Sequence, residues 1–214
     1  MSSIAERSVE RALAGRYATY TEEVNRLINA CLAVIERTGN FDPRVGDILA
    51  EAGLSNQAFY RHFQSKEELL LAVLDRGSRE LTAYLVKRMA AQADPKAKIR
   101  AWIRGFAVQA IRPKAAAATR PFMFPSARLY ERFPQEVPMV ERQFLDLLEA
   151  QLKDAIAVGQ VRSDVDPAAD AVFIYDLVKN WMERQLRENP MPSESELSAR
   201  ADTLEHFLMK AIGA

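Results

Sequence analysis

The side chains best equipped for chemistry crowd into one stretch, RVGDILAEAGLSNQAFYRHFQSK, from Arg44 to Lys66. Asn56 and Gln57 are neighbouring amides, each with the paired donor and acceptor that fit the major-groove edge of adenine. Arg44 and Arg61 carry guanidinium forks suited to guanine or to a phosphate, and Tyr60, His62 and Lys66 each bring a hydrogen-bond donor. Such a set grips and reads a polar polymer. The chain carries no G-x-S-x-G, H-E-x-x-H, C-x-x-C or glycine-rich phosphate loop. It has one cysteine, Cys31, and two histidines, His62 and His206, far apart in sequence, so a zinc site built by one chain is not expected. We therefore expect no catalytic residue, no metal and no cofactor.

Two short helices must position these groups. Val45, Ile48 and Leu49 fall at i, i+3 and i+4 and give the first helix a single buried stripe, with Ala52 keeping its end narrow. Gly53 supplies the residue a tight interhelical turn needs, and Ser55 is placed to cap the second helix from Asn56. Phe59 and Phe63 lie one turn apart and point inward. Asn56, Gln57, Tyr60, Arg61 and His62 are left to face outward. The spacing predicts a helix-turn-helix over residues 44–63.

With AGLS, FYRHF and SKEELL in succession, preceded by an amphipathic helix ending TGNF, residues 21–81 resemble the TetR family of bacterial transcriptional regulators. Arg44 stands where that family commonly has Thr, Leu49 where Ala is usual, and Gln57 where a small residue is usual. The resemblance implies a fold that is all-α: an N-terminal three-helix DNA-binding domain joined by a long helix to a C-terminal helical domain for ligand binding and dimerisation. It also implies that Tyr60, His62 and Lys66 hold the phosphate backbone, with Ser55, Asn56, Gln57, Arg44 and Arg61 completing the DNA-binding set.

Composition limits the alternatives. The 214 residues suffice for a real core, and 49% hydrophobic residues with only eight glycines suit a helical protein. Positive and negative charges balance at 29 each. Between residues 21 and 65 four arginines face six acids, a net charge of minus two. Any DNA affinity must therefore come from local placement of donors and helix N-termini rather than from a general positive field. A single cysteine fits a reducing compartment, and no apolar run approaches membrane-spanning length, so a cytoplasmic location and no membrane are expected.

Read in order, residues 1–20 form an arm whose Arg7, Arg11 and Arg16 lie at near-helical spacing. Thr21 is expected to cap the first helix of the DNA-binding domain, residues 21–81, with the stripe Val24, Leu27, Ile28, Cys31 and Ile35 ending at Gly39. Ser65 and Glu68 make a capping box for a long helix through Leu70, Val73, Leu74, Leu81, Leu85 and Met89. The second domain, residues 82–214, contains three further capped helices. Asp94-Pro95 and Asp166-Pro167 pair a cap with proline at the first helical position, and Ser193 to Glu196 is another capping box. Five of the ten prolines fall between residues 113 and 138, which breaks that segment into short pieces. The last helix carries Leu197, Ala201, Leu204, Phe207, Leu208, Ala211 and Ile212 as its apolar set.

Trp102, Phe106, Phe122, Phe124, Tyr130, Phe144, Tyr175 and Trp181 give the second domain an aromatic inventory that serves either as core or as the lining of a mainly apolar ligand site. Arg120 and Arg128 are available as anion anchors. By resemblance, the two final helices, about 167–188 and 194–212, join a homodimer. A two-fold dimer sets its reading helices about 34 Å apart, which implies a pseudopalindromic operator in double-stranded DNA. The resulting expectation is a repressor released by a small apolar effector. A ligand-independent architectural DNA-binding protein and a helical adaptor that no longer binds DNA are the competing classes.

Overall fold

A computed structural model describes residues 4–123, 127–188 and 190–213. Ten α-helices and one short 3-10 turn account for it, and among the described residues the only β-type pairing is an isolated bridge between Val161 and Gly213. The helices are α1 (Ile4–Thr38), α2 (Val45–Ala52), α3 (Asn56–His62), α4 (Lys66–Ala90), α5 (Pro95–Ile111), α6 (Pro113–Thr119), α7 (Ala127–Arg132), α8 (Glu136–Ala157), α9 (Pro167–Arg187) and α10 (Glu194–Ile212). The 3-10 turn is Arg120–Met123. The all-α expectation holds.

By internal contacts the chain forms two compact units, Met1–Val73 with Ser126–Arg132, and Leu74–Pro125 with Phe133–Ala214. The division falls inside α4, between Val73 and Leu74.

In the first unit α1 lays Leu27, Ile28, Cys31, Val34 and Ile35 against Ile48, Leu49 and Ala52 of α2 and Phe59 of α3, with Phe41 and Phe63 closing the loops. Burial in this apolar setting pushes the Cys31 thiol up to about 12, the behaviour of an inert packing residue. Gly39 ends α1 in the left-handed region at φ 67° and donates its N–H to the Ile35 carbonyl. Thr21 does not cap a helix. Its hydroxyl donates to the Tyr17 carbonyl at 2.8 Å, because α1 begins at Ile4 and runs on past Thr21 to Thr38 without a break. A hydroxyl four residues past a helical carbonyl bonds back to it as readily as it caps.

The second unit is a helical core in which α5 is central, packing on α8, α9 and α10. Asp94 caps α5 through the Ala97 N–H, Asp166 caps α9 through the N–H groups of Ala168 and Ala169, and Ser193 with Glu196 forms the complete capping box of α10. The proline-rich segment breaks into α6, the 3-10 turn and α7, as its density of breakers predicts. Pro138 is absorbed in the first turn of α8, where its missing N–H has no helical partner to lose. In α10 the apolar set divides: Leu197, Ala201, Leu208 and Ile212 are buried, but Phe207, about 100° round the helix from Leu208, is 60% exposed.

Candidate nucleic-acid interface

Helix α3 is held by what lies beneath it. Ala58 and Phe59 are buried, and Phe63 follows at 5.9 Å from the Phe59 ring. Ser55 is extended and its Oγ accepts from the Ala58 N–H, so one orphan donor at the helix start is satisfied by the predicted cap. Gly53 adopts φ 61° and ψ 37°, and its N–H closes α2 on the Leu49 carbonyl. The turn is gripped from α1: Arg26 Nη2 donates to the Ala52 carbonyl at 2.6 Å and to the Gly53 carbonyl at 3.3 Å. A cation at a helix C-terminus meets its unpaired carbonyls and its negative end at once. Sequence reasoning missed this role of Arg26, since nothing in a 26-residue separation announces the contact.

The solvent face of α3 carries Asn56, Gln57, Tyr60 and Arg61, all exposed. The Tyr60 side chain is edge-on to Phe59 with ring centroids 5.1 Å apart, yet the residue is 63% exposed, which leaves the hydroxyl presented on a fixed ring. Arg44 is exposed at the start of α2 with extended backbone and makes no side-chain cap. These residues are brought together on the helix-turn-helix as the spacing requires.

His62 departs from the expected outward direction. Its side chain is only 6% exposed, and Nε2 lies 2.6 Å from Glu23 Oε2 on α1. The same oxygen accepts from Arg61 Nη1 at 3.2 Å. The Tyr20 ring packs edge-on against the His62 imidazole at 5.4 Å and lies 5.8 Å from the Arg61 guanidinium carbon. The last turn of α3 turns His62 back toward α1, where an acid one helix away is the better partner. The hydrogen bond from His62 holds the Glu23 carboxyl below the usual carboxylate range; burial opposes this, and the Arg61, His62 and Arg26 charges add to it.

Lys66 is also engaged: Nζ lies 2.5 Å from Asp42 Oδ1, in the loop after α1. The capping box at Ser65 takes a variant form. Ser65 Oγ accepts from the Glu68 N–H, while the Glu68 carboxylate accepts from the Gln64 N–H at 2.6 Å, one residue upstream of the cap. The negative balance counted over residues 21–65 thus has a local meaning, because Glu23 and Asp42 sit on the very cations that stand on and after α3.

The aromatic candidates behave as a group. Trp102, Phe106, Phe144 and Tyr175 are buried and in mutual contact, with centroids 4.5 Å apart for Trp102–Phe106, 5.1 Å for Phe106–Phe144 and 6.1 Å for Phe144–Tyr175. Trp102 Nε1 donates to the Phe144 carbonyl at 3.2 Å. Trp181 packs half-buried at the margin of this core, and Phe122 lies beside Gly77 of α4. Tyr130, on α7, belongs to the first unit instead. Phe124 and the side chains of Arg7, Arg11 and Arg128 lie outside the described residues. Arg120 Nη2 is 3.8 Å from the Met191 sulfur. Among the described residues no cluster of His, Cys, Asp or Glu could hold a metal, and no helix is long and apolar enough to cross a membrane.

Residues 27–73 match the family described as bacterial regulatory proteins, tetR family. Among solved structures, the fold is similar to the regulator FadR of Bacillus subtilis in complex with stearoyl-CoA, at 18% identity over 87% of this chain and 98% of that one, with a TM-score of 0.70. It is similar also to a putative TetR-family regulator from Rhodococcus sp., at 20% identity over 88% and 99% with a TM-score of 0.72. A third likeness is to SmeT of Stenotrophomonas maltophilia, the repressor of the multidrug efflux pump SmeDEF, at 22% identity over 89% and 90% with a TM-score of 0.66. No curated protein matches the sequence.

Proposed function

We propose that this chain, whose residues 27–73 match the tetR family of bacterial regulatory proteins, is a DNA-binding transcriptional regulator rather than an enzyme, acting as a homodimeric repressor released by a small ligand. The observation that carries this reading is the exposed row Asn56, Gln57, Tyr60 and Arg61 on a helix locked from below by Phe59 and Phe63. In this reading Asn56 and Gln57 read bases, Tyr60, Arg61, Arg44 and Lys66 grip phosphates or guanine, and His62 braces the end of α3. The operator is a pseudopalindrome in double-stranded DNA, and the protein works in the cytoplasm.

Self-association is supported by the apolar surface of the last two long helices. Phe173 and Leu177 on α9 and Phe207 on α10 are exposed, Phe173 by 63%, where a monomer gains nothing from showing large apolar side chains together. The ligand enters the second unit, whose apolar and aromatic core suits a mainly apolar molecule. FadR of Bacillus subtilis was solved with stearoyl-CoA, so a similar fold holds a ligand with a long apolar part. Helix α4 supplies Lys66–Val73 to the first unit and Leu74–Ala90 to the second. A ligand that favours one position of α4 shifts the DNA-binding state by its difference in affinity for the two, a few kcal/mol in order of magnitude.

The test is retention of genomic fragments by the purified protein, followed by sequencing of what is kept. A shared pseudopalindrome is the expected result. If nothing is retained even at low salt, the regulator reading fails and a helical adaptor takes its place.

A further inference from the structure

Arg61 is the only arginine or lysine in α3, and it follows Gln57 by one helical turn, on the same row of the helix. Two residues of α1 hold it. Its Nη1 donates to Glu23 Oε2 at 3.2 Å, and its guanidinium carbon lies 5.8 Å from the Tyr20 ring centroid. Tyr20 and Glu23 are three residues apart, so both contacts come from one face of α1. Neither holder depends on the arginine for its own place. The same Glu23 oxygen stands 2.6 Å from Nε2 of His62, whose side chain is only 6% exposed, and the Tyr20 ring packs edge-on against the His62 imidazole.

The arginine is held without being covered. Its side chain stays 42% exposed, and the contact with Glu23 uses Nη1, which leaves Nε and Nη2 for an acceptor outside the chain. Lys66 differs, because its single nitrogen already lies on Asp42, whereas a guanidinium offers donors on more than one edge. A loose surface arginine gives up rotamer freedom when it grips an anion, and one already held by its neighbours gives up less. In a helix-turn-helix the first residues of the second helix read bases, and Arg61 sits in its last turn, so its acceptor is a phosphate rather than a guanine. Resting on the reading of α3 as a DNA-contacting helix, we propose that Tyr20 and Glu23 are positioning residues that hold Arg61 so that Nε and Nη2 meet one phosphate of the DNA backbone, beside the base pairs read by Gln57.

The probe is a random-sequence DNA duplex, on which phosphate contacts carry the binding, titrated with the full chain at several salt concentrations. Fragments retained from genomic DNA are the second probe. Arg61→Ala should weaken binding to both about tenfold and lower the salt slope by about one. Tyr20→Leu changes no charge; it should weaken binding about threefold in the parent chain and have no effect in an Arg61→Ala background, where no guanidinium is left to place. Tyr20→Phe, which restores the ring, should recover the loss. Glu23→Leu removes a negative charge, which by itself favours DNA, so weaker binding in the parent chain, absent again with Arg61→Ala, is the expected result. Should Glu23→Leu not fold, Glu23→Gln is read in the same way. Losses that persist in the Arg61→Ala background overturn the proposal in favour of a structural role through His62, and tighter or unchanged binding by Glu23→Leu overturns it for Glu23. A loss from Arg61→Ala confined to the genomic fragments makes Arg61 a base reader and overturns the phosphate assignment. A chain that binds DNA but is indifferent to Tyr20→Leu loses only this proposal, whereas one that retains no DNA at low salt loses the regulator reading with it.

Discussion

Glu23 Oε2 on α1 stands 2.6 Å from His62 Nε2 at the end of α3 and accepts from Arg61 Nη1 as well, so one carboxylate oxygen ties α3 to α1. Its folded pKa lies below the ordinary value of 4.5. A depressed carboxylate contributes stability that is fully present above the unfolded pKa and is lost as pH falls through the folded one. Glu23→Gln should therefore lower Tm at neutral pH, with the gap to the parent chain closing as pH is taken below 4.5. Thermal unfolding from pH 7 to pH 3 measures this, and a gap that stays constant across the range contradicts the tie.

Lys66 and Asp42 make a second prediction with opposite signs for its two partners. If Lys66 grips phosphate, Asp42 competes for it at 2.5 Å in the free protein. Asp42→Asn should strengthen DNA binding on all sequences alike. Tyr60→Phe with Lys66→Ala should weaken it uniformly and flatten the salt dependence by about one unit of slope for each phosphate no longer held. Gln57→Ala should mainly relax base preference, at about 1–3 kcal/mol of discrimination. Titrations at several salt concentrations, on operator and random DNA, separate these outcomes; uniform losses from all three variants would refute the division of labour.

Gly105 is required by packing rather than by its backbone angles. A Cβ there would overlap the fully buried Leu85 of α4. Gly105→Ala gains about 1 kcal/mol of helix propensity but costs about 1–3 kcal/mol in overpacking. A net loss of up to about 2 kcal/mol is expected in denaturant titration, and a stabilised variant would show that α4 and α5 part freely.

Phe173 and Phe207 test self-association. Phe173→Asp places a charge on an exposed apolar site, so the monomer fold should be undisturbed, while a dimer built there loses on the order of 2 kcal/mol or more, about thirtyfold in dissociation constant. Sedimentation across a concentration series reads the shift, with Phe207→Asp as a second probe on α10. A variant that sediments as the parent does would move the interface elsewhere.

Much of this architecture was legible in the residues. Caps announce themselves because they are local: Ser55, Asp94, Asp166 and Ser193 each satisfy an N–H two or three residues away, and that distance is written in the sequence. The inward direction of Phe59 and Phe63 follows from helical period in the same way. Thr21 misled because a hydroxyl suits both a cap and a bond back to the Tyr17 carbonyl, and only the continuity of α1 from Ile4 chooses between them.

The sequence by itself therefore determined the helices, the turn at Gly53 and the donors offered by α3, all set by interactions within a few residues. Tertiary structure alone decided which donors are already spoken for. His62 and Lys66 are held by Glu23 and Asp42, 39 and 24 residues away, Arg26 caps a helix that begins 19 residues beyond it, and Arg88 lays its stem against Gly105, 17 residues on. Charge pairing and burial depend on distance in space, and only the packed chain determines which acid reaches which base.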